Sequence, residues 1–218
     1  MAKHQNILVL QGEVTLKSAN GFKVMTKQTT FSGCYEHPLD VVSDKAVEIG
    51  ERIKMKGCLE FTGAFTQIRA TEFTAPGDGY LNVARLVGNT AGAIRFFPAD
   101  AGKNAFANLL IESGGSLFRT VMFEPLASLF SRLCKRGSEV CVQGRIQSRE
   151  FKTRDGEKGS MLEVVADPDY TRILSVPKAD DPFVGFSAIE PAPVTAPATK
   201  APKATKAAKS TKAQEIPF

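Results

Sequence analysis

No tryptophan occurs among the 218 residues, histidine appears only twice, and no apolar run is long enough to cross a membrane as a helix. Such a span needs about 20 consecutive apolar residues. The chain opens Met1-Ala2-Lys3-His4-Gln5-Asn6 and meets only a short apolar run before Gln11. A secretory signal needs a longer apolar stretch, so an intracellular protein is expected. Cys34, Cys58, Cys134 and Cys141 form no C-x-x-C pair, and His4 and His37 lie far from them in sequence. Neither a zinc site nor a disulfide framework is expected. Cys58 and Cys141 sit in strand-like apolar runs, where a thiol packs as a small hydrophobe. The chain has no Walker A loop, G-x-S-x-G or H-E-x-x-H motif, and no acidic pair is marked by spacing for proton transfer. Binding without catalysis, cofactor or metal is the expectation.

Charge is unevenly distributed. Net charge is 0 over residues 1–80, +3 over 81–176, −2 over 177–190 and +4 over 191–218, so the pI near 9.0 is largely a property of the C-terminal segment. Composition divides the chain at the same places. From Ile7 to about Phe73 short apolar runs alternate with turns, among them a hairpin expected at Asn20-Gly21. Ala75-Pro76-Gly77-Asp78-Gly79 reads as a linker. A second strand-rich region runs from Leu81 to about Leu174. Within it Leu126, Leu129, Phe130 and Leu133 recur at helical spacing, predicting a helix over Pro125–Cys134 with proline at its start. Asp155-Gly156 marks a further hairpin.

The two regions share a plan. Gly50–Gly57 and Gly137–Gly144 each read as glycine, two polar residues, an alternating strand, and glycine seven places after the first; each region also opens on an apolar strand ending in glycine, Gly12 or Gly88. Short strands with glycine at the corners and one intervening helix suit a duplicated five-stranded Greek-key barrel, the OB-fold. The first copy shows no comparable helix beyond a candidate at Pro38–Ile49. The expected organisation is all-β: an OB-like domain over 1–75, a second OB-fold over 80–176, and a tail over 177–218. In that tail residues 191–212 contain only Pro, Ala, Val, Thr, Ser and Lys. Such a composition cannot bury a core and is expected to be disordered, either as a solubilising linker or as a phosphate-attracting arm.

Aromatic and basic residues interleave in the second region: Arg95-Phe96-Phe97, Phe118-Arg119, Phe123, Arg145, Arg149, Phe151-Lys152 and Arg154. Bases stack on aromatic faces for about 1–3 kcal/mol each while cations follow the phosphates, the pairing a single-strand groove requires. Period two puts Leu117, Arg119, Val121 and Phe123 on one strand face, and Arg145, Gln147, Arg149 and Phe151 on another.

Residues 81–166 resemble the bacterial single-stranded DNA-binding protein (SSB) family. The resemblance is carried in order by Leu86-Val87-Gly88-Asn89, Ile94–Pro98, Ala105–Asn108, Val121–Ala127, Lys135–Val140, Gly144–Phe151 and Glu163–Val165. It implies an OB-fold in which Phe151 and Phe123 occupy stacking positions and Phe96 a common aromatic one. From the interleaved set itself, Arg95, Arg119, Arg145, Arg149, Lys152 and Arg154 are expected to contact the strand. Another stacking tryptophan of the family aligns with Leu117. The chain ends Glu215-Ile216-Pro217-Phe218, similar to the acidic, Ile-Pro-Phe tip by which the family docks partner proteins, although one glutamate replaces an acidic cluster. The resemblance thus implies a cytoplasmic coat for single-stranded DNA in replication, recombination or repair. Partners would be recruited through the tip, and four OB domains would assemble as a homodimer. The alternatives are a protein-binding adaptor, whose basic residues would not converge on one groove, and an RNA-binding protein.

Overall fold

In a computed structural model the described residues are 4–30, 33–63, 65–100, 103–152 and 158–177, without the side chains at 29, 30, 33, 152 and 158. The tail, its Glu215–Phe218 tip, Arg154 and the Asp155-Gly156 hairpin lie outside them.

The first barrel comprises β1 (Gln5–Ser18), β2 (Gly21–Thr30), β3 (Gly33–Val42), β4 (Arg52–Phe61) and β5 (Thr66–Thr74). β1 pairs antiparallel with both β2 and β4, β2 with β3, and β4 with β5. β3 and β5 run parallel, which closes the ring. Its interior is filled by alternate residues such as Leu8, Leu10, Phe22, Val24, Leu39, Met55 and Ile68. The turn falls one residue before its expected place, on Ala19-Asn20, because Ser18 pairs with Gly21. Glycine is needed at 21 for a close approach: a Cβ there would lie 1.9 Å from the Val41 carbonyl oxygen. No helix forms over Pro38–Ile49; Pro38–Val42 belong to β3 and the residues after it turn directly into β4.

The second barrel repeats this wiring with β6 (Leu81–Thr90), β8 (Phe106–Ser113), β9 (Ser116–Phe123), β10 (Glu139–Lys152) and β11 (Lys158–Ala166). β6 pairs with β8 and β10, β8 with β9, β10 with β11, and β9 runs parallel to β11. Two short strands are additions: β7 (Arg95–Phe97) on β8, and β12 (Arg172–Ser175) on β10. Helix α1 (Leu126–Leu133) follows Pro125, and its Leu126, Ala127 and Phe130 enter the core.

β1 and β6 pair antiparallel, Gln5 with Val87 through Gln11 with Leu81, so both barrels share one sheet and one compact unit, Met1–Pro182. Identical devices recur in the two copies. Asn6 of β1 donates to the Leu59 carbonyl and accepts from its N–H on β4; Asn82 of β6 makes the same two bonds to Ile146 on β10. A Cβ on Gly57 or Gly144 would stand 2.3 or 1.9 Å from a carbonyl oxygen of β5 or β11, which forces glycine at both corners. The linker after β5 is pinned by Gln11, whose amide bonds the backbone of Gly77, Asp78 and Gly79.

Candidate nucleic-acid interface

The outer surface of the second barrel, across β7, β8, β9, β11 and β10, gathers four arginines and four phenylalanines into cross-strand rows. Directly opposed residues in a sheet share a face. Phe97 opposes Phe106, which opposes Phe123. Their rings form a ladder, with 4.6 Å between the Phe97 and Phe106 centroids at an interplanar angle of 13°, and 6.4 Å between Phe106 and Phe123 at 49°. The next row runs Arg95, Asn108, Val121, Val165, Arg145 and therefore carries an arginine at each end. In the third, Leu110 opposes Arg119 and Glu163 opposes Gln147. Beyond them Arg149 opposes Met161, and Phe151 opposes Gly159. The Phe151 ring lies flat over that glycine: a Cβ there would sit 2.6 Å from its Cζ.

The electrostatics of this face are unfinished. Arg95, Arg145 and Arg149 form no ion pair among the described residues. Arg119 lies 3.4 Å from Glu163, whose other carboxylate oxygen accepts from the Gln147 amide at 2.7 Å. Burial lowers the Arg145 pKa, opposed by the charge of Asp167. Asn108 Oδ1 and Arg145 Nε are buried without a hydrogen-bond partner among the described residues, whereas Arg119 Nε and Glu163 Oε2 face each other as the 3.4 Å ion pair. A buried polar group without a partner costs about 1–3 kcal/mol, so Asn108 and Arg145 are the residues of this face whose polar groups remain incompletely satisfied.

Arg95, Arg119, Phe123, Arg145, Arg149 and Phe151 thus share one curved surface, and Lys152 continues β10 past them. Arg119 and Phe123 do not form a wall opposite Arg145–Phe151; β11 lies between their strands and joins them into one face. Phe96 stands apart, because it opposes Ala107 and points to the other side of β7 from Phe97. Leu117 is exposed where Phe118 is buried at 1%, so Phe118 belongs to the core. Phe106, Asn108 and Glu163 were given no role in strand binding from the sequence, and Phe97 and Gln147 were named beside the candidate residues without being assigned a contact. The signal for Phe97 was present: alternation on Arg95-Phe96-Phe97 sets Phe97 beside Arg95.

The first barrel carries different chemistry at the same places. With Gly57 matched to Gly144, the strand registers match Cys58 to Arg145, Glu60 to Gln147, Val42 to Val121, Asp40 to Arg119 and Asp44 to Phe123. Four of its cations are paired on their own sheet: Lys23 with Asp40, Lys27 with Glu36, Lys56 with Glu72, and Arg69 with Glu60. Hydrogen bonds from Gln67 and Arg69 hold the Glu60 carboxyl below its usual pKa, so it stays anionic. Among the described residues no group of His, Cys, Asp and Glu is placed to hold a metal, and no helix is long and apolar enough to cross a membrane.

Residues 112–173 match the single-strand binding protein family. A curated relative, the single-stranded DNA-binding protein of Corynebacterium glutamicum, is 39% identical over 70 residues; the match covers 32% of this chain and 31% of the relative, about a third of that protein's length. The wild-type single-stranded DNA binding protein from Thermus aquaticus superposes with a TM-score of 0.63 at 18% identity, over 83% of this chain and 98% of that one. A deletion variant of the same protein gives 0.60 at 19%, over 85% and 100%. The likeness to these two is one of fold, and it extends over both barrels.

Proposed function

We propose, from the premise that this chain carries a domain of the single-strand binding protein family, that it binds single-stranded DNA on the outer face of the second barrel. The observation that carries the reading is the juxtaposition of the Phe97–Phe106–Phe123 ladder with Arg95, Arg145 and Arg149, which have no ion-pair partner among the described residues. Bases stack on the rings and on Phe151, while the guanidinium groups meet phosphates. Because every base has an aromatic face, such a surface is tolerant of sequence. Convergence of the arginines on one groove favours this reading over a protein-binding adaptor. No chemical step is assigned to the protein, and no cofactor.

The finer role is coating of exposed single strands in the cytoplasm during replication, recombination or repair, with Glu215–Phe218 recruiting partner proteins. Homodimerisation would use the outer face of the β1–β6 junction, where Ile7, Leu81 and Val83 are exposed on one face. A mass of two chains in sedimentation, lost in Val83→Glu, is the expected outcome there.

The test is fluorescence anisotropy of labelled oligo-dT in low and moderate salt. Tight binding that weakens with salt is expected. Arg149→Ala should reduce the slope of log K against log salt by about 0.7, the contribution of one phosphate contact on a single strand. No binding at low salt would overturn the reading and leave the adaptor ahead. An equal preference for oligo-rU would shift the substrate to RNA.

A further inference from the structure

The position that aligns with a stacking tryptophan of the family holds Leu117, and the ladder lies at the other end of β9. The first barrel adjoins β9. β4 of the first barrel touches β9 of the second, just as β10 of the second touches β3 of the first. The two contacts are the same contact seen from either copy.

The second of them can be described in detail. A cleft of about 410 Å³ on the first barrel is lined by Asp40, Val41 and Val42 of β3 and by Phe65, Thr66 and Gln67 near the β4–β5 turn. Ser18, Asn20 and Phe22 of the first barrel also line it, and the second barrel contributes Ser148, Ser160 and Leu162 from β10 and β11. Each hairpin therefore leans over the other barrel's groove. With Gly57 matched to Gly144, the residue of β4 that corresponds to Ser148 is Phe61. Asp40, which shares the cleft with Ser148, corresponds to Arg119. Phe61 is the last residue of β4, it extends the inward-facing series Met55, Gly57, Leu59 past the barrel mouth, and it is 45% exposed.

We propose that Phe61 is a stacking residue of the strand-binding groove, presented by the first barrel beside the Leu117–Arg119 end of β9. The inference rests on the single-strand reading above and adds to it. A base leaving Arg119 would meet a ring carried by a different barrel, so the groove is completed by the pairing of β1 with β6. The hairpin suits the task. Thr62 closes it through its N–H and hydroxyl, both donating to the Phe65 carbonyl, and Gly63 takes a positive φ of 89°, which fixes the end of β4.

The experiment places a photocrosslinking p-benzoylphenylalanine at position 61 in the full-length chain, with position 123 as positive control and position 16, exposed on β1, as negative control. Irradiation with oligo-dT should crosslink positions 61 and 123 and spare 16. In parallel, Phe61→Ala should weaken oligo-dT binding about 5-fold or more while leaving the salt slope unchanged, since an uncharged ring releases no counterions. Thermal unfolding of the variant checks the barrel, and Phe61→Trp should restore affinity if the ring itself matters. If the wild type binds but position 61 neither crosslinks nor alters affinity, this inference is wrong and the groove on the second barrel stands. If the wild type does not bind at all, the reading of function falls with it.

Discussion

Gly159 has no side chain, and that is its part in the groove: it gives the Phe151 ring a flat backbone surface to rest on. A methyl group there meets three ring atoms at 2.6–3.1 Å, but those atoms end a side chain that can swing aside. Gly159→Ala should therefore fold normally and bind poorly. We expect oligo-dT affinity to fall by a part of the roughly 5- to 150-fold loss expected for Phe151→Ala, which removes about 1–3 kcal/mol of stacking. Equal affinity of Gly159→Ala and wild type would show that the ring's resting place is immaterial. At this scale the sequence was informative about residue type and weaker about facing. Arg119, Phe123, Arg145, Arg149 and Phe151 all come to one surface, since each lies on a strand whose alternation is clear. Phe106 was hidden inside an apolar run that reads as core throughout. It is outward because alternation on β8 turns Ala107, Leu109 and Ile111 into the core.

Strands and turns were more legible than the contacts between them. The glycine pattern that suggested duplication marks real corners, because Gly57 and Gly144 each stand against a carbonyl of the next strand. The helix forms as its pattern suggested, one residue shorter at each end, with Pro125 and Cys134 as its caps. What the pattern concealed is the bridge between β6 and β10. Asn82 and Gly88 have the same spacing as Asn6 and Gly12, yet an isolated asparagine in a strand gives no sign that its side chain will take over the ladder bonds of the neighbouring strand. In the structure Asn82 satisfies both the N–H and the carbonyl of Ile146, and its amide also reaches the hydroxyl of Thr26 at 3.3 Å. Asn82→Ala strips two backbone groups of partners in a part-buried setting, where each costs about 1–3 kcal/mol. Urea unfolding should show a loss of at least about 1 kcal/mol, with the slope unchanged. A loss within error would mean that water replaces the amide and that the bridge is dispensable.

Duplication of a barrel does not imply duplication of its use. Where the second barrel has Arg119, Phe123, Arg145 and Gln147, the first has Asp40, Asp44, Cys58 and Glu60, so two carboxylates stand at groove positions held elsewhere by a cation and a ring. Five of the six ion pairs among the described residues lie in the first barrel, which leaves Lys17, Lys23, Lys27, Lys56 and Arg69 engaged by neighbouring acids. A polyanion approaching that face would have to break those pairs while meeting Asp40 and Asp44. The zero net charge of residues 1–80 hinted at this difference, but only the registers show the acids to fall on the groove itself. The whole molecule should accordingly take one short strand per chain. A titration of oligo-dT about 10 nucleotides long, a length within the range one OB-fold covers, should saturate at one oligonucleotide per chain when protein is well above Kd. Two per chain would show that the first barrel binds despite its acids. Asp40→Arg combined with Asp44→Phe restores to the first barrel two of the residue types found in the second. A rise toward two equivalents in that variant would locate the cause of the asymmetry in these two positions.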